Sequence, residues 1–479
     1  MLDLQPHHAV AQHYDELYEP DGSPRPHYAP LAASLGRLGR DEILARVQAI
    51  NTSLLQRGVT FTVYADAAGT ERVFPFDVIP RIITAAEWAR LERGIGQRVR
   101  AINAFLYDVY HGERILREKR IPRELVYSSK NFNREMIDVD VPRDVYIHVS
   151  GIDLIRDEAG EFLCLEDNCR TPSGISYVLE NRDVLKRGFP DLFRNYAVCP
   201  VDDYPSRLLD VLRYVAPRGM EQPNVVLLTP GIYNSAYFEH SLLARRMGVE
   251  LVEGRDLIVL DNFVYVKTTS GLERVDVIYR RIDDDYLDPL YFIPDSSLGV
   301  PGLMNAYRAG NVAIANAIGT GVGDDKAIYR FVPEMIRFYL DEEPIINNVP
   351  TYDCTDPVQR RHVLANLDKL VVKNTNASGG YGMLMGPFAA AEECERFRGL
   401  ISDNPRDFIA QPVVQISSSP TLIDGGMVAR RVDLRPFALL GRGVDVPPAA
   451  LTRVALRDGS LVVNSSQGGG SKDTWVLQG

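Results

Sequence analysis

Two short runs on either side of a single glycine place the tightest limit on what this chain can fold into. Residues 145–156 and 161–168 have the composition of strands, and Gly160 sits between them, so an antiparallel hairpin is predicted. On a strand, residues two apart share a face, so Glu166 and Asn168 point one way and Asp167 the other. A loop over residues 158–161 pairs Asp157 with Phe162 and sets Asp153 opposite Glu166. Two carboxylates and an amide oxygen then share one surface. Such hard oxygen donors suit Mg²⁺, which takes carboxylates together with phosphate oxygens and water. A polar strand end facing solvent would have the same composition.

The rest of the chain is read outward from this hairpin. At 479 residues it is too long for one ordinary core, and two to four packed units are expected. Apolar residues at three- and four-residue steps (Trp88, Leu91, Ile95, Val99, Ile102, Leu106) predict a helix over residues 85–116. Short strands are expected at 60–64 and 73–75. Residues 224–229, 235–247 and 249–252 read as strand, helix and strand, a βαβ-like unit that ends in the run 275–282. Residues 295–350 read as broken helix, and 370–414 as a separate α+β stretch. Strands are expected again at 426–440, 451–456 and 461–464. The fold class is α+β throughout.

Composition excludes several functions. The formal net charge of -11 and a pI near 5.4 argue against nucleic acid as the main partner. No window approaches ~18 uninterrupted apolar residues, so no membrane span is expected. The first residues lack the basic and apolar pattern of a secretory signal. The five scattered cysteines suit a reducing compartment, and together these features predict a cytoplasmic protein. Cys164 and Cys169 have no second pair and no nearby histidine, which makes a zinc site a poor fit.

Val371-Val372-Lys373 leads into a loop carrying Gly379, Gly380 and Gly382. A lysine leaving an apolar strand ahead of such a loop can set a cation and several backbone N–H groups on a polyphosphate. A β-turn beside a snorkelling lysine is the plainer alternative. Residues 408–414 read as a strand running into a hinge, where Gln411 and backbone groups could hold adenine, and Lys326 supplies a second cation upstream. Arg435 and Arg453 lie on strands, where burial without an anion is costly, and so they hint at phosphate.

Taken together, these elements resemble the circularly permuted ATP-grasp family, related to the synthetase domain of glutathionylspermidine synthetase. The resemblance runs from about Tyr14 to Trp475. Ordinary members place the acidic metal strands last; here they come first, and the remaining elements follow in the usual order. The resemblance implies an ATP-grasp fold with a βαβ pre-ATP-grasp-like unit and a helical N-terminal region. It implies a mainly helical segment at 1–140, metal-binding strands at 141–220 and a substrate unit at 221–300. A helical linker with the nucleotide lid would occupy 301–425, and strands completing the core 426–479.

By the same resemblance, Asp153, Glu166 and Asn168 are metal ligands, and Lys326 and Lys373 contact the phosphates of ATP. Gln411 marks the adenine hinge, while Arg435 and Arg453 act on phosphate or intermediate. The implied activity is a carboxylate–amine ligase using ATP and Mg²⁺ and passing through an acyl phosphate. A kinase acting on a small carboxylate or peptide, and an inactive nucleotide-binding scaffold, are the alternatives. The implied partners are a small-molecule or peptide carboxylate and an amine.

On the substrate side, Arg280 and Arg281 end a strand of the βαβ unit, a common ligand position, and a salt-bridge cluster with Asp283, Asp284 and Asp285 is the equal alternative. Arg25 lies in a rigid turn that could reach the same site. Residues 465–474, with Gln467, Lys472 and three glycines, read as a loop that could close over the acyl site or as an ordinary exposed glycine turn.

Overall fold

Thr84 opens the long N-terminal helix by accepting a hydrogen bond from Glu87 N, while the Glu87 carboxylate accepts from Thr84 N. In the computed structural model, which describes residues 13–62, 71–217, 221–376, 382–463 and 469–479, that helix runs Ala85–Tyr110. All six apolar residues expected on its inner face are buried.

The helix packs beside one large sheet. Its strand order is Asn347–Asn348, Phe162–Asn168, Val149–Arg156, Gly426–Leu440, Ala450–Val454, Gly470–Val476 and Phe76–Ile83. The early hairpin therefore pairs directly with the late arginine strand, the arrangement expected of a permuted core. The first strand of this sheet in sequence, Phe76–Ile83, was not anticipated as such. It lies at the edge, parallel to Gly470–Val476, where Pro80 is tolerated because one side of the ladder is open. The 1–140 segment is thus helical in the main, but it also contributes a strand to the central sheet.

The expected hairpin forms with an altered turn. Arg156, and not Asp157, pairs with Phe162. Asp157 instead closes the turn, its carboxylate accepting from Ala159 N and Glu161 N, and Gly160 takes a φ of 86°. The register then shifts by one residue between Asp153 and Leu154. This bulge at Leu165 restores the pairing of Asp153 with Glu166 that a wider loop was expected to produce.

A second sheet is wholly parallel, in the order Ala313–Ala315, Val277–Arg280, Val225–Leu228 and Glu250–Val252, and forms the βαβ unit. A small antiparallel sheet of Tyr352–Asp353, Phe408–Pro412, Leu370–Asn374 and Leu384–Met385 forms the lid. The lid has its own core, including Val363, Leu370, Val372, Phe397 and Ile401. Among the described residues no helix is long and apolar enough to cross a membrane.

The C-terminal expectation needs correction. Residues 461–463 are not a strand, while Gly470–Val476 is a buried one. Lys472 is no part of a closing loop: its ammonium is buried against Asp77 and donates to Ile79 O and Pro420 O. Tyr64, Gly379, Gly380, Asn464, Ser465, Gln467 and Gly468 lie outside the described residues.

Candidate active site

The central sheet and the lid face each other across a cavity of about 420 Å³, and most of the expected site residues line it. Asp153, Glu166, Asn168, Arg435 and Arg453 come from the sheet. Lys373 and Gln411 come from the lid, and Lys326 from a short helix beside it.

Strand alternation accounts for the sheet side. Glu166 and Asn168 open to the cavity, whereas Asp167 turns to the other face and pairs with Arg98 of the long helix at 2.5 and 3.0 Å. The Asn168 amide nitrogen donates to Gly151 O at 3.1 Å, which leaves its oxygen for a cation. Glu166 meets Lys326 at 3.4 Å.

Asp153 is buried between two arginines. Arg435 donates to both of its oxygens, at 2.5 and 2.8 Å, and Arg453 donates to one at 2.7 Å. Burial opposes ionisation of Asp153, but these guanidiniums outweigh it and hold the carboxyl well below the usual range. The compensating anions for the buried Arg453 and the half-buried Arg435 are therefore carboxylates of the chain itself.

Asp433 is one of them, and its role was missed in the sequence. It stands two residues before Arg435 on the same strand and is fully buried, with both oxygens taking Arg453 Nε at 3.0 Å. Burial pushes its carboxyl up, against the pull of Arg453. The i, i+2 spacing to Arg435 was the available signal.

On the lid, burial pulls Lys373 down to about 8; Lys326 acts in the same sense, and Glu166 and Asp153 oppose it. Among the described residues it forms no ion pair within 4.0 Å. Gln411 is buried and donates to Thr351 Oγ1 at 2.9 Å. Val371, Met383 and Met385 of the lid, Ile155 and Leu165 of the sheet and Val349 just past its edge strand also line the cavity and give it an apolar slot. Leu165 is the bulged residue of the hairpin, so the same irregularity that sets Glu166 also builds the slot. Gly382 stands at the end of the glycine loop with a φ of 66°.

Three arginines expected to bind substrate do not reach the cavity. Arg280 is fully buried, donating to Asn316 O, Ile282 O and Ala317 O and pairing with Asp284. Arg281 donates to Pro172 O and Ser173 Oγ and pairs with Glu239, which in turn accepts from Gly174 N. It braces the segment 171–174 that forms the cavity floor. Arg25 is held by Asp15 O, Glu19 and the Tyr14 ring. All three are struts. In their place the cavity presents Arg170, whose Nε donates to Asp324 at 2.6 Å, with Asp283 nearby.

Sheet and lid thus form two halves that meet across one cavity. The description "Circularly permuted ATP-grasp type 2" matches residues 80–455, and the chain belongs to that family. It is 56% identical over 468 residues to an uncharacterized protein of Synechocystis sp., covering 97% of each chain. It is 45% identical over 466 residues to a Frankia alni protein provisionally named glutamate–cysteine ligase 2-3, covering 97% of this chain and 54% of that one, so it spans about half that protein's length. Among solved structures, a glutathione synthetase-like effector of Globodera pallida in its apo form shares the fold. The TM-score is 0.56 at 10% identity, over 92% of this chain and 98% of that one.

Proposed function

We propose that this chain is an ATP-dependent carboxylate–amine ligase that forms an amide or peptide bond through an acyl phosphate. The observation that carries the reading is the meeting, in one cavity, of Lys326 and Lys373 with Asp153, Glu166, Asn168 and Arg435. A slot with apolar walls and the buried Gln411 beside it suit adenine; the lysines suit the phosphate tail. The donor set of two carboxylates and an amide oxygen fits Mg²⁺, which needs only one or two protein carboxylates when phosphates complete its shell. When bound there, Mg²⁺ would neutralise charge on the β- and γ-phosphates.

The chain's own residues then do three things. Lys326 and Lys373 hold the phosphate tail, and Lys373 does so from a desolvated position where its charge acts strongly. The segment 171–174, fixed by Arg281 and Glu239, forms the floor against which the acyl substrate lies. Arg435 stands where charge develops as the substrate carboxylate oxygen bonds to the γ-phosphorus and the bond to ADP breaks. The amine nitrogen next bonds to the acyl carbon, phosphate leaves, and the surplus proton passes to solvent.

The Frankia relative's name joins an amino-acid carboxylate to an amino-acid amine, which supports testing amino acids first as both substrates. Hydroxylamine is small enough to replace an unidentified amine. With ATP, Mg²⁺ and a panel of amino acids and short peptides, a hydroxamate should form with ADP and phosphate. AMP and pyrophosphate would overturn the acyl phosphate, and ADP with a stable phosphorylated product would make the chain a kinase.

A further inference from the structure

The two cavity arginines are not equivalent, and the difference lies in what each keeps if Asp153 is withdrawn. Arg453 has a second carboxylate: Asp433 takes its Nε with both oxygens at 3.0 Å and its Nη2 as well. Arg435 has no second carboxylate among the described residues. Apart from Asp153, its one partner is the carbonyl of Ser173, at 3.2 Å. Arg435 is also the more open of the two, at 14% side-chain exposure against 7%. A carboxylate already shared by two guanidiniums cannot serve a divalent cation fully until at least one of them lets go.

We infer that Arg435 is the arginine released from Asp153 toward the transferring phosphoryl group, and that Asp433 is a positioning residue that keeps Arg453 seated through the exchange. This rests on the ligase reading and assigns roles within that same site. Arg435 occupies, with two hydrogen bonds, the carboxylate that a cation would need. Loading the cation and freeing the catalytic arginine are then one event. Arg453, held from its other side by Asp433, stays in the sheet and shields Asp153 from below. The row Asp433–Arg453–Asp153–Arg435 alternates in charge, so displacement at the Arg435 end leaves the remaining three groups paired.

The test is Mn²⁺ affinity, read by paramagnetic resonance on the full chain with and without a non-hydrolysable ATP analogue. Arg435→Gln removes the competitor for Asp153 and should tighten Mn²⁺ without nucleotide about tenfold, while turnover is lost. Asp433→Asn leaves Arg453 with Asp153 alone, so Mn²⁺ should weaken about tenfold. Asp433→Asn combined with Arg453→Gln should return it toward wild type, a rescue that a merely structural role for Asp433 would not produce. Unchanged or weaker binding in Arg435→Gln overturns the exchange, as does an unchanged affinity in Asp433→Asn. Arg435→Gln lies at the cavity surface and keeps the test decisive if Asp433→Asn fails to fold. Wild-type protein that binds no Mn²⁺ even with the nucleotide analogue would instead sink the ligand assignment itself, and this inference with it.

Discussion

The central sheet and the lid handle charge in opposite ways. The sheet buries many ions, each already matched: Arg98 with Asp167, Arg81 with Glu16, Arg182 with Asp473, and Lys472 with Asp77. Even the cavity carboxylate Asp153 is matched, by Arg435 and Arg453. The lid is smaller, has a short local core, and carries Lys373 into the cavity without a countercharge within ion-pair distance among the described residues. One half is therefore neutralised by its own ion pairs, and the other presents a lysine with none among the described residues. Under the proposed function, a polyphosphate entering between them would break pairs on the sheet and supply the missing charge on the lid.

That contrast can be broken most sharply at Glu166. Glu166→Ala should lower turnover roughly 10²–10³-fold while nucleotide binding, measured by calorimetry, largely persists through the lysines and the slot. Turnover close to wild type would remove Glu166 from the site. On the other face of the same strand, Asp167→Asn leaves Arg98 buried with neutral partners only. Its partners would then be the new amide and Asn348 Oδ1, and the change should cost about 3–5 kcal/mol of stability, seen in thermal or denaturant unfolding, because an uncompensated charge remains in the interior. The neighbours Glu166 and Asp167 would thus separate function from stability on one strand.

Parts of this arrangement were legible in the sequence and parts were not. Alternation along residues 162–168 separated Glu166 from Asp167, because strand period depends on local geometry alone. The pairing of Asp153 with Glu166 was reached through a turn one residue too wide. Asp157 could cap the turn with its own side chain, and the compensating bulge left no mark in composition. Arg280 and Arg281 look in sequence like anion-binding residues. Backbone carbonyls together with the carboxylates of Asp284 and Glu239 satisfy them instead; Asp284 lies in the acidic run that follows them, whereas the carbonyl partners and the distant Glu239 have no sequence signature. The parallel pairing of Phe76–Ile83 with Gly470–Val476 joins opposite ends of the chain, and the glycines before Lys472 pointed to a loop. Only the folded contact between Lys472 and Asp77 distinguishes it from a loop.

Lys373 tests the lid. Lys373→Ala should weaken ATP roughly tenfold to a hundredfold, the value of one or two charge-assisted contacts, with little change in unfolding of the sheet. A smaller effect follows from its proton. Burial holds Lys373 near 8 in the free chain, and a bound polyphosphate favours the charged form and raises it. ATP affinity should therefore be level below pH 8 and fall as pH rises above it. Binding at pH 8 should take up about half a proton, measured calorimetrically in buffers of different ionisation heat. Lys373→Arg should abolish that uptake.

The account stands on one nucleotide being shared by both halves, and a crystal structure with a non-hydrolysable ATP analogue and Mn²⁺ tests this directly. Anomalous scattering should place Mn²⁺ against Glu166 and Asn168, with adenine between Leu165 and Met385 and the phosphates under Lys326 and Lys373. Arg435 should have left Asp153 while Arg453 remains on Asp433. A nucleotide bound outside this cavity, or Mn²⁺ away from Glu166, would contradict the account.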